Sequence, residues 1–98
     1  MNWDALKQEV VALLVQAGED ALDEVEADFR NYARNLATWS IQAIQSKNKT
    51  LLNSVKGQAK LLAARNQIQI QRKLLTTITD ILGIVMKTAF ALAMGAVK

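Results

Sequence analysis

Residues 61–96, LLAARNQIQIQRKLLTTITDILGIVMKTAFALAMGA, carry apolar side chains at alternating steps of three and four over their whole length. Leu61, Ala64, Ile68, Gln71, Leu75, Ile78, Leu82, Val85, Ala89, Leu92 and Ala96 fall on one seam in which only Gln71 is polar, the spacing of five consecutive heptads. Ile70, Leu74, Ile81 and Ile84 widen the seam, and Asn66, Lys73, Asp80 and Lys87 form a polar line behind it. A helix with so broad an apolar face needs more than one neighbour to cover it.

Working outward, the segment from Leu51 continues into this run with a slightly offset frame, Leu51, Leu52, Val55, Ala59 and Leu62, and Gly57 marks the offset. A helix over residues 51–97 would be roughly 70 Å long at about 1.5 Å per residue. Two shorter helices are expected before it. Residues 3–17 read as the first, with Asn2 as its cap, Gly18 as its terminator, and Leu6, Val10, Leu13, Leu14 and Ala17 along one face. Residues 20–46 read as the second, along Leu22, Val25, Phe29, Tyr32, Leu36 and Trp39. Lys47-Asn48-Lys49-Thr50 is the turn candidate, although it has neither Gly nor Pro and a continuous rod stays open. The expected fold is therefore all-α: one domain over residues 1–98, with two or three helices in an elongated hairpin and a long C-terminal helix completed by oligomerisation.

Composition narrows the function classes. The 98 residues include no Cys, His or Pro. That removes disulfides, thiolate chemistry, the commonest general base and the commonest transition-metal ligand. Ser40, Ser46 and Ser54 have no histidine to activate them, and Tyr32 on an apolar seam reads as a packed phenol. No enzyme activity, catalytic residue, cofactor, metal or small-molecule substrate is expected. The acidic cluster Glu19, Asp20, Asp23, Glu24, Glu26 and Asp28 reads as a solvated face at the positive end of a helix.

The net charge of +3 conceals a strong asymmetry. Residues 1–28 hold one lysine against eight carboxylates, and residues 29–98 hold eleven cations against Asp80 alone. On one continuous helix the cations split, with Lys49, Lys56 and Lys60 on one side and Lys47, Arg65 and Arg72 on the other. No aromatic residue is interleaved for stacking, so nucleic acid is not the expected partner. No secretory signal is read at the N-terminus, and virion or cytoplasm, with membrane association open, is the expected location.

Residues 81–97, ILGIVMKTAFALAMGAV, admit two readings. In the first they belong to an oligomer seam, with Leu61, Ile68, Leu75, Ile78, Leu82, Val85, Ala89 and Leu92 as interface residues. The protein is then a structural subunit packing into a homo-oligomer or larger particle. In the second they enter a bilayer as a pore, holin-like or ejected protein, with Ile81, Ile84, Phe90 and Met94 as membrane contacts. Seventeen residues with one charge, Lys87, reach the short edge of a membrane span. In size, missing Cys and His and hairpin layout the chain is faintly similar to small secreted WXG proteins, whose Trp-x-Gly turn is unmatched because Ser40 and Ile41 follow Trp39. An acidic helix followed by a basic one and an alanine-rich apolar tail more closely resembles small structural or ejected proteins of tailed bacteriophages. That resemblance implies many copies in an assembly and passage into or through a membrane.

Overall fold

The computed structural model describes residues 2–21, 27–47, 49–66, 68 and 70–93. Four α-helices make up the described fold: α1 (Trp3–Ala21), α2 (Ala27–Gln45), α3 (Val55–Arg65) and α4 (Arg72–Ala93), with a 3-10 helix at Lys49–Ser54 leading into α3. Helix α1 packs on α2 and α4, α3 packs on α2 and α4, and α2 also meets α4 across the bundle. The molecule measures 43 × 23 × 19 Å. An uninterrupted helix of roughly 70 Å does not fit those dimensions.

The expected long C-terminal helix is the main correction. It is interrupted at residues 66–71, Asn-Gln-Ile-Gln-Ile-Gln, which contain neither glycine nor proline. The reason lies in Ile68 and Ile70, both of which pack against the core. In a helix, residues two apart point about 200° away from each other, so a continued helix would not turn both toward one surface. Asn66 helps end α3, its side-chain amide donating to the Leu62 carbonyl at 2.8 Å and its backbone N–H to the same oxygen at 3.0 Å. The break lets α3 fold back on α4, so the chain supplies for itself much of the cover that the sequence assigned to other copies.

The N-terminal half shows one expected feature and two departures. Asn2 caps α1, its Oδ1 accepting from the Ala5 N–H at 3.1 Å. Gly18, expected to end the helix, is buried inside α1, which continues to Ala21. A Cβ there would lie 2.5 Å from Cε1 of Phe29, so glycine at this position permits close approach of α2. Helix α2 is described from Ala27, residues 20 and 21 belong to α1, and Leu22 and Val25 of the expected α2 seam lie outside the described residues. It ends at Gln45, where Lys47 adopts a left-handed conformation at φ 55° and its N–H donates to the Ile44 carbonyl at 3.0 Å.

The core is built from Val10 and Leu14 of α1, Phe29, Tyr32, Leu36 and Ile44 of α2, Val55, Ala59 and Leu62 of α3, and Leu74, Ile78, Leu82 and Met86 of α4. Tyr32 ties α2 to α3, its hydroxyl donating to the Ala59 carbonyl at 3.0 Å while its ring meets Phe29 at a centroid distance of 5.8 Å. Ser40, also buried, returns its hydroxyl proton to the Leu36 carbonyl of its own helix at 2.8 Å.

Burial pushes the Tyr32 phenol up from its ordinary value of 10.0 to about 12. Below about pH 10 both folded and unfolded chains keep this proton, and the phenol's contribution to stability is full. From there to about pH 12 the unfolded chain releases it first, so stability falls by up to about 1.4 kcal/mol per pH unit. Tyr32→Phe is expected to cost about 1 kcal/mol near pH 9 and to remove this part of the alkaline loss, as read by urea unfolding across the range. Because Tyr32 is the sole tyrosine, its phenolate absorbance checks the premise directly. Titration near 10 in the folded protein would contradict it.

Candidate functional site

Helix α4 has two unlike faces. Leu74, Leu75, Ile78, Leu82, Met86 and Ala89 are buried, and Arg72, Lys73, Thr76, Thr77, Asp80, Ile84, Lys87, Thr88 and Leu92 are exposed. Two threonines fit the helix by bonding back along it, Thr77 to the Lys73 carbonyl at 3.1 Å and Thr79 to the Leu75 carbonyl at 2.8 Å. The polar line read from the sequence at Lys73, Asp80 and Lys87 lies on the outward face. Gly83 lies beside that line, and a Cβ added to it would meet nothing within 4 Å.

Helices α1 and α4 run antiparallel with a shallow groove between them. One recess, of about 630 Å³, is lined by Leu13, Gln16 and Asp20 on one side and Lys73, Thr77 and Ile81 on the other. A second, of about 350 Å³, lies between Leu6 and Glu9 of α1 and Ile84, Thr88 and Leu92 of α4. The rims are unusually apolar for solvated positions, with Leu13 at 38%, Leu92 at 51% and Ile84 at 69% exposure.

The expected interface residues do not share one surface. Leu75, Ile78, Leu82 and Ala89 lie in the chain's own core, Val85 and Ile68 pack partly against it, and Leu61 and Leu92 are exposed on different helices. Of the expected membrane contacts, Ile84 is exposed, Ile81 and Phe90 are half-buried, and Met94 lies outside the described residues. The heptad count missed Met86, which is fully buried where the count had chosen Val85. At about 100° per residue Met86 lies about 40° past a full turn from Leu82 and Val85 about 60° short of one, so Met86 is the nearer to the inward line. Leu6 and Leu13 belong to the apolar face that the sequence predicts for the first helix, and their place beside α4 depends on an antiparallel pairing that periodicity does not specify.

Elsewhere, Glu19, Asp20 and Asp28 of the acidic cluster are exposed, while Asp23, Glu24 and Glu26 lie outside the described residues. Among the described residues, no group of three or more carboxylates is placed to hold a metal ion. One described helix, over Arg72–Leu92, is long and apolar enough to cross a membrane, and a third of its most apolar window is buried in the bundle. No protein-family model matches the chain, and no curated protein or solved structure matches it either.

Proposed function

We propose that this chain is a membrane-active protein that carries α4 folded against α1, α2 and α3 and delivers it into a bilayer as part of a small pore. The observation that supports this reading is the 21-residue stretch Arg72–Leu92 of α4, with two thirds of its apolar window unburied. At about 1.5 Å per residue it matches a hydrocarbon thickness of about 30 Å.

Magnitudes favour a group of inserted helices over a single one. Asp80 and Lys87 near the middle of the span would each oppose insertion by about 2.5–3.5 kcal/mol, while each Leu, Ile, Val or Phe returns only about 0.3–0.6. Nine such residues lie between Arg72 and Leu92, which leaves a lone helix short of balance. Asp80 and Lys87 share the outward polar line, so copies that turn this line toward a water-filled centre avoid most of the penalty. Opening the bundle would bare the inward face, Ile78, Leu82 and Met86, for lipid.

Release of an entrapped dye from vesicles of mixed neutral and anionic phospholipid tests the reading. The wild type is expected to float with the vesicles and release dye. Lys87→Leu, which removes a charge that the pore would keep in water, is expected to tighten partitioning by much less than the about 3 kcal/mol of a lipid-facing lysine. A wild type that stays in the aqueous fraction and leaves the dye enclosed would sink the proposal. In that event the structural-subunit reading would have to work through the outward apolar residues around Ile84 and Leu92, because Leu75, Ile78, Leu82 and Ala89 of the heptad seam lie in the chain's own core.

A further inference from the structure

From Phe29 to Thr79 the chain contains nine Lys and Arg residues and no carboxylate. Five of the nine, Lys56, Lys60, Arg65, Arg72 and Lys73, lie on α3 or on the first two residues of α4, directly before the apolar part of the candidate span. All five are exposed, and among the described residues none pairs with a carboxylate.

The break at residues 66–71 gives α3 its own outward face, set by its own packing. Val55, Ala59, Leu62 and Ala63 point into the core. At about 100° per residue, the opposite half of the helix then presents, in angular order, Lys56, Lys60, Ala64, Gly57, Leu61 and Arg65. Lysines form one edge, an arginine forms the other, and a strip of Ala64, Gly57 and Leu61 lies between them. Leu61 is 45% exposed despite its size. Cations flanking an apolar strip suit the boundary of a bilayer, where long stems run along the strip and their charges reach headgroup phosphates.

We infer that the outward face of α3 is a docking surface for anionic phospholipid, which holds the protein at the membrane before α4 enters. The inference rests on the membrane reading above and adds a lipid class and a location to it. Charge complementarity favours this occupant, since a basic cluster beside a span is attracted to an anionic leaflet. Nucleic acid fits less well, because the centre of the face is a leucine and the described residues of α3 offer no aromatic platform for bases. Gly57 adds space at the strip, since a Cβ there would meet nothing within 4 Å.

Flotation of the full chain with phosphatidylcholine vesicles, and with the same vesicles containing phosphatidylglycerol, tests the inference. Wild type is compared with the triple variant Lys56→Gln, Lys60→Gln, Arg65→Gln, whose helical circular dichroism and melting confirm the fold. Each cation near an anionic surface contributes roughly fivefold in affinity, so the triple variant is expected to bind anionic vesicles about a hundredfold more weakly. Wild-type binding is expected to fall as salt rises and to be much weaker on the neutral vesicles. Leu61→Ser is expected to weaken anionic binding further without changing its salt dependence.

Binding that ignores lipid charge or the triple substitution would overturn this inference while leaving the membrane reading in place. No flotation with either vesicle would overturn both. Tighter binding to duplex DNA than to anionic vesicles, or a wild-type dimer that the triple variant dissociates, would assign the face to nucleic acid or to a second copy and overturn it as well.

Discussion

Leu82→Asp is expected to abolish the folded state of a single chain. Leu82 is fully buried between Ile78 and Met86 of the same helix face. Truncation to alanine at such a site removes about 2–5 kcal/mol, and aspartate adds an unpaired carboxylate in apolar surroundings. Small domains have roughly 5–15 kcal/mol in total, so the charged variant should show little cooperative melting. Leu61→Asp and Leu92→Asp are exposed counterparts on the same heptad seam and should alter stability by only about 0.5 kcal/mol. Circular dichroism melts with sedimentation separate the outcomes. A well-folded but smaller particle for Leu82→Asp would return the seam to an interface between copies.

The second large effect concerns the contact of α1 with α2. Phe29→Ala is expected to destabilise the protein by about 3–5 kcal/mol, since the ring is buried against Tyr32 and the Gly18 backbone. Gly18→Ala tests the same contact from the other side. Alanine improves helix propensity by about 1 kcal/mol. Its Cβ, however, would lie 2.5 Å from the edge of a buried ring that also packs on Tyr32. Overpacking of about 1–3 kcal/mol should outweigh the propensity gain. In a Phe29→Ala background the clash is gone and Gly18→Ala should become stabilising. Gly57→Ala, with nothing within 4 Å, should be stabilising in the native background. Urea unfolding of this set reads the coupling, and equal effects of Gly18→Ala in both backgrounds would show that the close approach is unimportant.

Sequence reasoning reached the parts of this fold governed by local chemistry or by one helix face. Asn2 as a cap and Val10, Leu14, Phe29, Tyr32 and Leu36 as packed residues follow from side-chain chemistry and from apolar spacing, whereas Ile78 and Leu82, read as an interface between copies, lie in the chain's own core. The break at residues 66–71 did not follow, because Ile68 lies in the heptad frame while Ile70 serves as a flank of it. Only a partner surface able to receive both residues makes a break better than a continued helix. Gly18 misled for a related reason: glycine inside a helix is unfavourable, so a terminator was the local reading, whereas the Phe29 ring eleven positions later provides the cause.

The candidate site was legible as a stretch of sequence but not as a surface. The apolar content of α4 was visible, yet the same Leu, Ile and Val residues satisfy a protein core and a lipid core alike. What sequence could not give was how much of α4 the remaining helices cover. The two-sided cation arrangement on α3 was hidden for a different reason. Lys56 and Arg65 lie about 180° apart on one long rod and on the isolated α3 alike, and only the packing of Val55, Ala59, Leu62 and Ala63 into the core shows that they are the two edges of its outward half.

The placement of the aromatic side chains sets what light can report about this molecule. Trp3 is on α1, Trp39 and Tyr32 are on α2, and α4 contains neither tryptophan nor tyrosine. Both tryptophans are partly buried against the core that α4 completes. Native fluorescence therefore follows the bundle that α4 leaves behind, and the departing helix is dark. Wetting of that bundle would shift the native emission to longer wavelength. A tryptophan introduced by Phe90→Trp would add an emitter that shifts to shorter wavelength on meeting lipid. Opposite shifts from the two ends of the chain would separate release of α4 into a bilayer from simple unfolding, in which both move the same way.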